Sequence, residues 1–140
     1  MSDAYQLVHL PSGVRVATVT RAGGFWAKNV GVLGRAGLPV GTGLWLPGVA
    51  SVHTVGVQFA LDLLFLDAGF QAVRLIPETP PGRWLVRAGG ARHTLELGAG
   101  TLDRAVPGTC IGDGWRLERL PPEACYTNSS TQGTTPDNFP

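Results

Sequence analysis

Charge, cysteine, histidine and long apolar runs are all scarce in this chain, and each scarcity closes off a class of function. Only 15% of the 140 residues are charged, eleven basic against ten acidic, so the net charge of +1 supplies no field to gather nucleic acid or an anionic membrane surface. The two cysteines, Cys110 and Cys125, lack CxxC spacing, and the three histidines form no HxH or HExxH pattern. A metal centre needs three or four converging ligands, so none is expected, and the two thiols are read as unpaired. The apolar run from Val55 to Leu66 is broken by Gln58 and Asp62 and falls short of the roughly 20 residues a membrane span needs. The opening MSDAYQLVHLPSG has an early acid, no basic flank and no apolar core, so a signal peptide is not expected and the cytoplasm is the expected location.

What the chain does have is apolar residues, 44% of the total, with 20 glycines and 11 prolines to punctuate them. That is material for one core, and we read residues 1–120 as a single β-rich domain followed by a polar, proline-bearing tail over 121–140. Residues 5–10 and 14–19 flank the turn cluster Pro11-Ser12-Gly13 and predict a β-hairpin. A short helix is expected over 22–33, and a brief strand over 43–46 inside a loop-rich stretch. Leu61 to Leu66, apolar on both alternating faces except at Asp62, reads as the central strand. Asp67-Ala68-Gly69 reads as its turn, with the glycine free to take positive φ, and 70–76 as the return strand. Residues 77–90 read as an exposed loop, and 92–97 as a strand with His93, Leu95 and Leu97 on one face. Thr101 is expected to cap a single helical turn over 101–105, and Gly112-Asp113-Gly114 to lead into a last strand over 115–120. Many short strands with one or two short helices predict a mostly-β (α+β) domain, a compact small barrel or a bent two-layer sheet.

Gly34-Arg35, Gly41 to Leu46, Val52-His53-Thr54, the apolar strand LDLLFLD, then LELGAG and the closing Gly112-Asp113 occur in an order and spacing that resemble the domain of unknown function 192 family, over roughly residues 20 to 118. The resemblance implies a compact bacterial or archaeal module built mainly of strands, and no established activity. The chain differs from the commoner family form at Val52 to Gly56, where a Trp-Met-Lys-Asn-Thr-like segment is usual, and the export signal many members carry is not expected here.

Several residue groups could carry chemistry. A histidine held by a carboxylate makes a general base, so His53 oriented by Asp62, with Thr54 or a water as nucleophile, is the catalytic candidate and points to a small hydrolase. Asp62 can equally be satisfied by backbone N–H groups near its strand. Loops that set a guanidinium beside an aromatic ring hold carboxylates, phosphates or sugar faces, which singles out Arg35, Arg83 and Trp84 together with His53 and Thr54 as ligand-binding candidates. The glycines between 31 and 43 show neither dinucleotide-binding spacing nor a P-loop lysine, and no cofactor is expected. The main expectation is a non-catalytic module that binds a small ligand or a partner protein, with the hydrolase and a structural assembly subunit as alternatives.

Overall fold

The computed structural model describes residues 4–22, 37–52, 54, 58–82 and 86–121. Nine strands lie among the described residues: β1 (Ala4–His9), β2 (Val14–Arg21), β3 (Thr42–Pro47), β4 (Ser51–Val52), β5 (Leu61–Leu66), β6 (Ala72–Thr79), β7 (Val86–Arg87), β8 (His93–Gly98) and β9 (Trp115–Arg119). One helix, α1 (Thr101–Ala105), falls among the described residues. Seven strands form one sheet in the order β6-β5-β8-β3-β2-β1-β9, while β4 and β7 pair separately. Among the described strands only the β2–β3 pair is parallel.

The sheet curls until its two edges meet. Gln71, just before β6, bridges Gly114, just before β9, and the Trp115 N–H donates to the Phe70 carbonyl at 2.9 Å. Curling covers the concave face along the sheet, and the segment around β7 covers the other face at β3 and β5. Leu7, Val19, Leu64, Leu66, Leu95 and Leu97 fill the concave side with Leu102 and Val106 from the α1 region. Leu44, Leu61, Leu63 and Phe65 face the other way and pack under Val86, Ala88 and Ala91. Strand β5 therefore shares its leucines between both cores, which is why its sequence is a run and not an alternation.

The expected mostly-β fold is present, and so are both hairpins. Four local expectations end differently. Leu61–Leu66 is not central: β5 lies second from the edge, and its burial comes from layers on both faces. The sharp step after the Asp67 turn falls on Phe70, at φ 61°, and Gly69 does not take positive φ; the Asp67 carboxylate accepts the Gly69 and Gln71 N–H groups there. The stretch 77–90 is no plain loop, since β6 runs to a buried Thr79 and β7 lies within it. Thr101 does not cap α1: Gly100 occupies that position, and the Thr101 hydroxyl donates to the Gly98 carbonyl and accepts the Gly41 N–H. The helix expected over 22–33 lies outside the described residues apart from Ala22, whose N–H donates to the Trp45 carbonyl. No described helix is long and apolar enough to cross a membrane.

Candidate functional site

Asp62 organises the region where β5, β6 and α1 meet. Alternation along β5 turns its side chain to the concave side, where no apolar group replaces it and water does not reach, since its exposure is 0%. Oδ1 accepts the Glu78 N–H at 2.8 Å and the Gly100 N–H at 3.2 Å, and Oδ2 accepts the Leu102 N–H at 2.9 Å. Two of these donors belong to the start of α1, so a carboxylate from a distant strand serves the helix end that Thr101 leaves unserved. The third donor belongs to Glu78, a non-glycine residue at φ 51° in a bulge of β6. An L-residue in the left-handed region needs compensation, and the bond to Asp62 supplies it.

That bulge and α1 border an open groove of about 610 Å³. Leu75 and Pro77 of β6 form one wall, Leu102 and Val106 the floor, and residues 107–111 the other wall, ending in Cys110 and Ile111. Ile111 is 68% exposed, a large apolar side chain held in a turn. Asp103 is the one charged residue of the lining. Cys110 is a free, exposed thiol whose Sγ lies 3.2 Å from the Gly108 carbonyl. No group of three or more potential metal-ligating side chains occurs among the described residues.

The groove residues escaped the sequence reading because they are ordinary leucines, valines and prolines until the sheet curls. Ile111, isolated between turn residues, is the one that carried a signal. Of the residues singled out in the sequence, Arg35, His53, Arg83 and Trp84 lie outside the described residues. Thr54 is wholly buried, and its hydroxyl donates to the Pro80 carbonyl at 2.9 Å. On either side of these segments the chain is joined: Val52 pairs with Val86, and the Gly82 N–H donates to the Thr54 carbonyl.

Among the described residues, burial shifts two ionisable groups. Burial pushes Glu96 up from 4.5 to about 7 on the outer face of β8, where it lies opposite Leu44 and Leu63. His93 is held below its usual value by burial, opposed by the nearby Asp67 charge. Its Nδ1 accepts the Trp45 indole N–H at 3.2 Å, and Phe70 stacks on the ring at 4.4 Å.

Two solved structures share this fold. One, from Sinorhizobium meliloti 1021 and described as a candidate transcription regulator, is 20% identical, with a TM-score of 0.70 over 84% of this chain and 94% of that one. The other, a protein of unknown function from Novosphingobium aromaticivorans, is 19% identical, with a TM-score of 0.65 over 81% and 83%. At such identities the likeness is one of fold. No curated protein matches the sequence. The family model described as "Uncharacterized ACR" matches residues 8–113, and the chain therefore belongs to the domain of unknown function 192 family.

Proposed function

We propose that the protein is a binding module for a small, largely apolar ligand whose polar end is neutral or cationic, held in the groove between β6, α1 and residues 107–111. The groove itself carries this reading. Its volume of about 610 Å³ suits a small molecule, its walls are mainly apolar, and Asp103 disfavours an anion. A partner strand added to β6 fits less well. Pro77 offers no N–H, Glu78 bulges, and Ala72 is already bonded to residues 112 and 113, which leaves only a short free edge. The loop set Arg35, His53, Thr54, Arg83 and Trp84 is the weaker site, because the Thr54 hydroxyl is buried and committed.

The hydrolase alternative loses its orienting group. Asp62 is buried and already accepts three backbone N–H groups, so its geometry is explained without His53. Titration with hexanol, hexylamine and hexanoate, followed by methyl NMR, tests the binding reading. Hexanol and hexylamine should shift Leu75, Leu102, Val106 and Ile111, and hexanoate should act more weakly. Shifts confined to other residues, or none at millimolar ligand, would refute it.

A further inference from the structure

Two turns distant in sequence are fastened together by a chain of side chains that shares only Thr109 with the groove lining. Residues 10–13 join β1 to β2, residues 108–113 lead into β9, and the Leu10 N–H donates to the Gly114 carbonyl at 2.9 Å. Between them His9 is 6% exposed and sits 4.8 Å from the Trp115 ring. Its Nε2 lies 2.9 Å from Asp113 Oδ2, and its Nδ1 lies 2.7 Å from Ser12 Oγ. The same carboxylate oxygen accepts the Thr109 hydroxyl at 3.1 Å and the Cys110 N–H at 2.9 Å.

This geometry sets the direction of the protons. The His9 bond first, then the Cys110 N–H, hold the Asp113 carboxyl below the usual range, so it is an anion that only accepts. Nε2 must then be the protonated nitrogen. In the neutral ring Nδ1 is left as an acceptor, and the short contact at that nitrogen is the Ser12 hydroxyl donating to it. Serine, imidazole and carboxylate are thus in the order that removes a proton from a serine, while Ser12 itself is exposed on its turn.

We propose that Ser12 is an activated nucleophile that accepts an acyl group from an activated ester, with His9 as its general base and Asp113 and Thr109 as positioning residues. The surroundings leave room for an apolar acyl group. Gly13, at φ 73°, has nothing within 4 Å of the place a Cβ would occupy. Leu10, 45% exposed, and Ile111, 68% exposed, present one apolar side chain from each turn. In the reaction Ser12 Oγ bonds to the ester carbonyl carbon as its proton passes to His9 Nδ1. The bond to the leaving alkoxide then breaks as that proton is handed on, and water cleaves the acyl-serine by the same route. The inference does not require ligand binding in the groove, whose lining shares Thr109 and Ile111 with this site.

The full chain incubated with an alkyl fluorophosphonate, and separately with 4-nitrophenyl butyrate, tests it by intact mass and peptide mapping. One adduct on Ser12 is expected, absent in Ser12→Ala, whose exposed position leaves folding intact. His9→Gln and Asp113→Asn should slow labelling by at least about 100-fold, with the saturation constant for the probe unchanged and the folded circular dichroism retained. Absence of labelling, an adduct on Cys110 or another serine, or unchanged labelling of Ser12→Ala overturns the proposal.

Discussion

Asp62 and Glu96 lie on neighbouring strands, one step apart in the β5–β8 register, and face opposite sides of the sheet. Both are buried, at 0% and 4% exposure. On the concave side Asp62 meets three backbone donors and becomes the fastening of α1 and the β6 bulge. On the other side Glu96 meets leucines, and among the described residues no donor bonds its carboxyl; burial answers by pushing it up to about 7. The same chemical group is thus a structural acceptor on one face and a proton-holding acid on the other. What separates them is whether N–H groups converge on the carboxylate.

The largest test of this contrast is Asp62→Ala, which leaves three N–H groups without an acceptor. We expect a loss of about 4 kcal/mol in urea unfolding, and about half of that for Asp62→Asn, which keeps one oxygen acceptor. An Asp62→Ala loss below that of an ordinary surface substitution would mean water serves these donors.

Glu96 gives the next effect, and it is visible only against pH. Its folded value, about 7, lies above the usual 4.5, so between these values the native state holds a proton that the unfolded chain has released. Stability therefore falls as pH rises from about 4.5 to about 7, by about 3 kcal/mol if this group acts alone. Melting curves from pH 5 to 8 should show the slope, and Glu96→Gln should flatten it.

A smaller effect compares adjacent leucines of β5. Leu64 points into the concave core and Leu63 into the core beneath Val86 and Ala88, and both are fully buried. Leu64→Ala should cost about 1 kcal/mol more than Leu63→Ala, because the two-residue strands β4 and β7 can settle onto a cavity more easily than the curled sheet can. Equal losses would make the two covers equally rigid. Smallest of all, Ile111→Ser should change stability by less than about 0.5 kcal/mol while weakening hexanol binding in the groove.

Much of the local structure was legible. The turn residues Pro11-Ser12-Gly13 and Asp67-Ala68-Gly69 mark both hairpins, and the alternation of His93, Leu95 and Leu97 marks β8. Two of the misread places share one cause. Thr101 stands where local rules put a helix cap, yet the acceptor comes from Asp62, about forty residues earlier in the chain. Residues 77–79, rich in turn signals, stay in β6 because Asp62 holds the Glu78 N–H.

The groove depends on the sheet curling far enough to set α1 beside β6, and the His9 relay on two turns about one hundred residues apart. By itself the sequence determined most of the longer strands, where the hairpins turn and that the domain is mostly β, because these follow from apolar periodicity and from glycine, proline and aspartate at turns. Only the tertiary structure decided which strands are neighbours, which carboxylate finds donors and which carboxylate lies beside His9. Those outcomes depend on distances between residues far apart in the chain, which no local pattern encodes.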